Sequence, residues 1–161
     1  MKTRVIPSLL IKNGGLVKTI KFKYPKYIGD PINAIKIFND KEVDELVIID
    51  IDATTRKTGP DFNMLSRINR EAFMPLGYGG GLRNKDDVQK ILSLGYEKVI
   101  IDSYAVENPD FIKQISDICG SQSIVICMDI KKDLFGRYHL YNYVRKEYYK
   151  IYPKDFVLKM Q

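Results

Sequence analysis

The sequence predicts an α/β fold: the amino-terminal portion, with about five strands, of a (β/α)8 TIM barrel. Short runs of valine and isoleucine alternate with amphipathic segments, as in parallel α/β proteins. The apolar runs are continuous, which is typical of parallel strands covered on both faces. Because a closed barrel needs about 250 residues, the 161 residues predict a partial barrel, a fragment or truncated product, over residues 1–161. An open five-stranded sheet is the alternative.

Each predicted strand is followed by a predicted helix. Asp30 as N-cap and Pro31 at the first helical position mark the start of the first helix, and Gly95 is a typical residue beyond the end of the third. A long polar and aromatic connection, residues 12–29, joins the first strand to its helix. Strands are predicted at residues 4–11, 45–51, 74–78, 98–101 and 123–130.

Residues 134–152 differ from the rest because tyrosines alternate with lysines and arginines. We interpret them as a β-hairpin inserted after the fifth strand, before a fifth helix that begins near Pro153. Interleaved aromatic and basic residues could bind single-stranded nucleic acid. A solvated hairpin with one face on the barrel rim is favoured, because no other nucleic-acid motif is present.

Composition favours a cytoplasmic protein but does not identify a partner. The formal net charge is +6, and because the lysines are dispersed, a phosphorylated small molecule or ordinary solvated surface lysines explain it as well as nucleic acid does, so charge alone does not decide. No apolar run is long enough to span a membrane, and no secretory signal is present. Cys119 and Cys127 lie outside any metal-binding pattern and are predicted to be reduced core residues. Neither a metal nor a cofactor is expected.

Active sites of such barrels form at the carboxyl ends of the strands. Glycines after a strand let backbone amides approach a phosphate, although a tight turn also explains them. Asp50 and Asp129 each suit a general acid or base, or a structural hydrogen bond. Lys18 could reach a phosphate or remain a solvated surface residue. The candidate positions are Leu10, Lys18, Asp50, Gly80, Gly81, Asp102, Ser103 and Asp129.

Several motifs occur in order along the chain: residues 4–6, 12–14, 17–18, 29–31, 44–51, 79–81, 98–99, 105–109, 111–112, 120–122 and 129. Together they resemble the HisF family, the cyclase subunit of imidazole glycerol phosphate synthase. The resemblance implies a partner glutaminase (HisH-like) that releases ammonia, which passes through the barrel to a phosphorylated ribonucleotide. It implies an ammonia gate at Arg4, Glu45 and Lys98, for which ordinary salt bridges at the strand starts are the alternative.

The same resemblance exposes two departures. The family uses two catalytic aspartates; Asp129 matches the second, whereas Leu10 occupies the first position and cannot exchange protons. Asp102 replaces an asparagine of the family's phosphate site, where a carboxylate would repel phosphate unless it is protonated or turned away. Residues 7–10 and 58–62 instead resemble a divergent branch associated with surface-polysaccharide synthesis, in which ammonia is supplied for the amidation of a sugar.

Four functions follow as hypotheses. We expect an ammonia-delivering synthase subunit diverged toward sugar amidation, in preference to a cyclase of the histidine pathway with altered acid–base chemistry. The third is a non-catalytic module that binds and activates a glutaminase, and the fourth is nucleic-acid binding through the tyrosine-rich hairpin. A half barrel would also expose an apolar sheet edge, so self-association or binding of a complementary fragment is expected.

Overall fold

The predicted parallel strands form one sheet. The computed structural model describes residues 3–20 and 23–160. The strands of the sheet are β1 (Ser8–Lys12), β2 (Gly15–Ile20), β3 (Lys23–Gly29), β4 (Leu46–Asp50), β5 (Leu76–Gly79), β6 (Lys98–Ile101) and β7 (Ile124–Ile126). They lie in the order β3-β2-β1-β4-β5-β6-β7, and β1, β4, β5, β6 and β7 are parallel. This confirms the predicted α/β fold, with five consecutive strands of a barrel.

The helices begin close to where the sequence predicts. They are α1 (Pro31–Asp40), α2 (Ala53–Arg56), α3 (Phe62–Glu71), α4 (Lys85–Ser93), α5 (Ser103–Glu107), α6 (Pro109–Cys119) and α7 (Pro153–Lys159). The Asp30 carboxylate accepts hydrogen bonds from the amides of Ile32 and Asn33, so it caps α1. The short helices α2 and α5 were not predicted. No helix in the described residues could cross a membrane.

The two faces of the sheet have different surroundings. Ile48, Tyr78 and Val99 are fully buried in a core that they share with helix residues such as Ile68 and Ile91. We call the opposite side the inner face; it carries residues that alternate with these. In a complete barrel the inner face lines the interior.

The described residues of the predicted connection 12–29 form antiparallel strands, which the sequence analysis did not assign. Lys12 pairs with Gly15 across a two-residue turn, in which Asn13 and Gly14 have φ values of 50° and 75°. Asn-Gly is the preferred sequence for such a turn because both residues tolerate positive φ. β3 then pairs with β2. Lys21 and Phe22, which belong to the predicted connection, lie outside the described residues.

The insertion after β7 is a three-stranded antiparallel sheet, in which a strand that precedes residue 134 pairs with a hairpin formed within residues 134–152. Its strands are β8 (Ile130–Lys132), β9 (Tyr138–Asn142) and β10 (Glu147–Tyr148), in the order β10-β9-β8. We call it the inserted sheet. Leu140, Tyr141 and Asn142 of β9 are buried, whereas β8 and β10 are exposed.

The fifth predicted strand is shorter than expected. β7 ends at Ile126, and Asp129 therefore lies between β7 and β8 rather than at the end of a strand. Cys127 is exposed and Cys119 is half-buried, so the prediction that both are core residues was wrong for Cys127. β7 forms one edge of the sheet. The expected association through that edge stays a prediction.

Candidate functional site

The register of the strands divides the inner face into layers. Leu10 pairs with Ile49, Ile49 with Gly79, and Gly79 with Ile100. Paired residues of parallel strands point to the same face, so these residues form one layer across the sheet. Its members are apolar, and it separates the residues before the strands from those after them.

At the amino-terminal end, three charged residues meet. We call Arg4, Glu45 and Lys98 the rim cluster. The Glu45 carboxylate lies 2.6 and 2.8 Å from Nζ of Lys98 and 3.1 Å from a guanidinium nitrogen of Arg4. The Glu45 side chain is 3% exposed, that of Lys98 27% and that of Arg4 56%. One buried carboxylate thus joins two cations that reach progressively further into solvent.

The local backbone explains why these residues meet. Lys98 is the first residue of β6, and Glu45 directly precedes β4. The amide of Val5 donates to the Asp44 carboxylate at 2.6 Å, and the amide of Asp44 donates to the carbonyl of Val5 at 3.2 Å. These two hydrogen bonds hold the segment with Arg4 against the start of β4. Beside Lys98 lies an open depression of about 490 Å³, lined in part by Tyr96, Glu97 and Gln122.

At the carboxyl-terminal end, two carboxyl groups come together instead. We call Asp102 and Asp129 the carboxyl pair. Burial and the nearby charge of Asp129 raise the pKa of Asp102 to about 7, against the opposing effect of the Ser103 and Asp129 amides. Burial also raises the pKa of Asp129. Although part of Cys127 is exposed, its thiol has a raised pKa because protein atoms surround it and because Asp102 and Asp129 place negative charge nearby. Groups that hold protons near neutral pH suit proton transfer.

Asp50 does not belong to this pair. It alternates with Ile49 along β4, so its side chain lies on the helix-covered face, where it is 4% exposed. Its carboxylate accepts hydrogen bonds from the amide of Ala53 at 3.1 Å and from the Arg56 guanidinium at 2.9 Å. Burial and a hydrogen bond with Asp52 raise the pKa of Asp50 to about 6, although the Arg56 charge opposes this. These contacts favour the structural interpretation of Asp50.

The glycine run at residues 79–81, which we call the glycine turn, closely contacts the turn after β4. A Cβ atom on Gly80 would lie 2.6 Å from the carbonyl oxygen of Asp50, and one on Gly81 would lie 3.0 Å from Cβ of Ala53. Both glycines have positive φ, 134° and 66°. Close packing and backbone conformation therefore require glycine at these positions whether or not they bind a phosphate. Their role in binding phosphate stays a prediction.

The remaining candidates lie in different surroundings. Asp102 follows β6 and is succeeded by Ser103, the first residue of α5, so both stand beside the glycine turn after the neighbouring strand β5. Lys18 is exposed on β2 rather than in a loop. No hydrogen bond or ion pair joins Lys18 to another candidate within the part of the chain that the structure describes. Leu10 is half-buried in the apolar layer.

A polar network at the carboxyl-terminal end was not predicted from the sequence. Asn142 of the inserted sheet donates to Glu107 at the end of α5 and to the hydroxyl of Tyr149, and that hydroxyl reaches the carbonyl of Ser103. The tyrosine-rich composition drew attention to this region but did not indicate which polar side chain faces the barrel. Among the described residues, no group of three or more histidine, cysteine, aspartate or glutamate side chains could hold a metal ion.

These features define the chain as part of a (β/α)8 barrel with ionisable groups at both ends of its inner face. A family described as histidine biosynthesis protein matches residues 4–161. The chain belongs to this family.

Three relatives show how far the similarity extends. A protein named "Putative imidazole glycerol phosphate synthase subunit HisF" from Leptospira interrogans is 49% identical over 85% of this chain and 54% of its own length. Similarly named subunits from Vibrio vulnificus and Pseudomonas aeruginosa are 52% and 48% identical, over 84% and 88% of this chain and 52% and 57% of their own lengths. The chain spans about half the length of the curated relatives it matches.

Proposed function

We propose that this chain is part of a HisF-type synthase subunit that receives ammonia from a glutaminase partner at the amino-terminal end of its inner face. The rim cluster carries this proposal. Glu45 is buried with two cations in a position that faces the barrel interior, while Arg4 and Lys98 extend from it toward solvent. A charged constriction of this kind could admit a small neutral molecule and open when a partner rearranges the ion pairs.

The surface around the rim cluster indicates where the partner would bind. The depression beside Lys98 is lined in part by residues at the starts of β6 and β7, and a protein docked there would contact the rim cluster directly. Exchange of these ion pairs for equivalent contacts with a partner would keep the buried Glu45 carboxylate paired, so the rearrangement would cost little. The HisH-type glutaminase implied by the family would therefore bind at this end, in the cytoplasm.

The opposite end would bind and transform the acceptor. The carboxyl pair supplies two groups with raised pKa values, that of Asp102 about 7, and the glycine turn with Ser103 lies beside it. Protonation of Asp102 would remove the charge that otherwise repels a phosphate. We therefore propose Asp129 as the general acid or base, with Gly80, Gly81, Asp102 and Ser103 around a phosphorylated ligand and Lys18 as a further cation.

Leu10 favours an acceptor other than the family's usual ribonucleotide. It occupies the layer with Ile49 and Gly79 and has no group that can exchange protons. Loss of one acid–base group commonly lowers a rate by about 10²–10⁴-fold, while the rim cluster does not depend on it. We propose that the subunit supplies ammonia for the amidation of a surface sugar rather than for imidazole formation.

Glutaminase stimulation tests the proposal. The chain would be mixed with the HisH-type glutaminase of the same organism, and glutamate release would be measured with and without the phosphorylated ribonucleotide. We expect complex formation and at least a tenfold increase in glutamate release, with little further effect of the ribonucleotide. Absence of both binding and stimulation would contradict the proposal.

A second candidate is a non-catalytic module that only activates the glutaminase, and Leu10 favours it as well. The two are separated by tracing ¹⁵N from the amide of glutamine in the presence of the sugar-modifying enzyme. Transfer without equilibration with unlabelled ammonium in solution supports the ammonia-conducting subunit. Full equilibration with the solvent pool supports the non-catalytic module.

A further inference from the structure

The inserted sheet is tied to the carboxyl ends of two parallel strands through one carboxylate. Glu107 accepts a hydrogen bond from Nδ2 of Asn142 at 3.3 Å and lies 3.1 Å from a guanidinium nitrogen of Arg145. It also lies 3.6 Å from the guanidinium of Arg83, which follows the glycine turn. Glu107 therefore joins the turn after β5, the helix after β6 and the inserted sheet.

Both polar atoms of the Asn142 side chain make hydrogen bonds, although the residue is only 3% exposed. Its Oδ1 accepts hydrogen bonds from the amides of Val144 at 3.0 Å and Arg145 at 2.9 Å, which closes the turn between β9 and β10. Its Nδ2 donates to Glu107 and, at 2.8 Å, to the hydroxyl oxygen of Tyr149. A buried amide with all partners satisfied specifies one arrangement, because any shift leaves a desolvated group unpaired.

Tyr149 extends this network to the carboxyl pair. Its hydroxyl donates to the carbonyl oxygen of Ser103 at 3.4 Å, and Ser103 directly follows Asp102. Burial raises the pKa of Tyr149, and the nearby charges of Glu107 and Asp102 act in the same direction. The phenol therefore remains protonated near neutral pH and keeps its proton for this hydrogen bond.

We propose that Asn142, Tyr149 and Glu107 are positioning residues that hold the Ser103 turn, and with it Asp102, against Asp129 and the glycine turn. The inserted sheet is then a functional part of the site, and its docking sets the geometry of the carboxyl pair. This inference deepens the proposed function, because it rests on the carboxyl-terminal end as the place where the acceptor binds.

The chain offers a matched pair of variants. Tyr149→Phe removes the hydroxyl that reaches Ser103. Tyr148→Phe removes a neighbouring hydroxyl that donates to the carbonyl of Lys132 at 3.0 Å, within the inserted sheet. Both substitutions keep the ring, so each protein should retain its fold, but only the first breaks the connection to the carboxyl pair.

Two nuclear magnetic resonance measurements on the free chain report the effect. In Tyr149→Phe, amide hydrogen exchange in the Ser103 turn should rise at least about fivefold, because the turn opens locally. The titration midpoint of the Asp102 carboxyl should fall by at least about half a pH unit, because water reaches a group whose proton affinity depends on burial. Tyr148→Phe should leave both quantities at their wild-type values.

Glu107→Gln provides a second, independent variant. It keeps an oxygen acceptor for Asn142 but removes the charge that pairs with Arg83 and Arg145, so exchange at Ser103 should again rise, by a smaller factor. Equal behaviour of Tyr149→Phe, Glu107→Gln and Tyr148→Phe would overturn the inference.

Failure of this inference is distinguishable from failure of the proposed function. The network touches only the carboxyl-terminal end, so Tyr149→Phe should stimulate the glutaminase as the wild-type chain does. Loss of stimulation in Tyr149→Phe would contradict a role confined to the carboxyl pair. If the wild-type chain fails to stimulate the glutaminase, the proposed function fails, while the exchange and titration results still decide the inference.

Discussion

The carboxylates at the two ends of the inner face have opposite electrostatic surroundings. At the amino-terminal end, Glu45 is surrounded by two cations within 3.1 Å, so its charge is compensated. At the other end, no lysine or arginine lies within ion-pair distance of Asp102 or Asp129 among the described residues, and the pKa values of both are raised. The carboxylate of Glu45 is therefore held in an ion-pair cluster, whereas burial raises the pKa values of Asp102 and Asp129 without the opposing effect of a neighbouring lysine or arginine among the described residues.

The glycine turn beside the carboxyl pair should be the least tolerant position. Gly80→Ala would place a Cβ atom 2.6 Å from the Asp50 carbonyl oxygen at a φ of 134°. We expect a loss of about 3 kcal/mol in the free energy of unfolding, because backbone strain adds to a clash with backbone. Urea denaturation would measure it.

Gly136→Ala is the control for this substitution. Gly136 has a φ of 78°, but a Cβ atom there would meet nothing within 4 Å. Only backbone strain remains, and we expect a loss of about 1 kcal/mol. Equal losses at the two positions would contradict the close contact between the glycine turn and β4.

At the amino-terminal end, removal of the buried charge of Glu45 should have the next largest effect on the free energy of unfolding. Glu45→Gln leaves Lys98 and Arg4 without their counter-ion, and we expect a loss of about 2 kcal/mol, less than for a fully buried pair because both cations reach solvent. Glu71→Gln is the matched control, since Glu71 lies 3.7 Å from Lys36 and both side chains are exposed.

The control should change the free energy of unfolding by less than about 0.5 kcal/mol. Urea denaturation of both variants at the same pH and ionic strength makes the comparison. Should Glu45→Gln prove as mild as Glu71→Gln, the rim cluster would be an ordinary surface ion pair and the contrast between the two ends would disappear.

The pH dependence of the free energy of unfolding should come from Asp102, at the carboxyl-terminal end. The pKa of Asp102 rises from 3.8 to about 7 on folding. Below pH 3.8 both states are protonated; between these values the unfolded chain loses its proton while the folded chain keeps it, so stability falls as pH rises. Asp102→Asn removes this dependence and should stabilise the chain by about 1–2 kcal/mol at pH 8 relative to pH 4, allowing for partial solvent exposure.

Asp117→Asn is the control for the titration, because Asp117 is exposed on α6. Unfolding curves at pH 4, 6 and 8 should show a widening difference between wild type and Asp102→Asn, and parallel behaviour of wild type and Asp117→Asn. A pH profile of Asp102→Asn that matches the wild type would mean that Asp102 is freely hydrated.

Some features of the site could be predicted from the sequence, and others depend on contacts between distant parts of the chain. The rim cluster was implied by the resemblance to the HisF family, and the geometry agrees with it because parallel strands in register bring the strand starts at Glu45 and Lys98 together. Asp50 and Asp129 looked equivalent in sequence. They differ because Asp50 shares a face with Ile48, and that assignment depends on which face the helices cover.

Two features escaped prediction for different reasons. The hairpin at residues 12–29 carries a clear turn signal in Asn13-Gly14, but β3 is exposed on both faces and lacks the alternation that indicates a strand. The contacts of Asn142 and Tyr149 link residues 35 and 46 positions apart. Nothing local in the sequence specifies how the inserted sheet docks, so only the folded chain reveals them.

We propose that the two ends of the inner face act separately, the rim cluster on the glutaminase and the carboxyl pair on the acceptor. Glutamate release by the glutaminase in the presence of Lys98→Met or Asp102→Asn distinguishes the two roles. We expect Lys98→Met to lower the stimulation at least about tenfold, a loss of about 1.4 kcal/mol in coupling, and Asp102→Asn to keep it within about twofold. Full stimulation by Lys98→Met, or equal loss in both variants, would contradict the account.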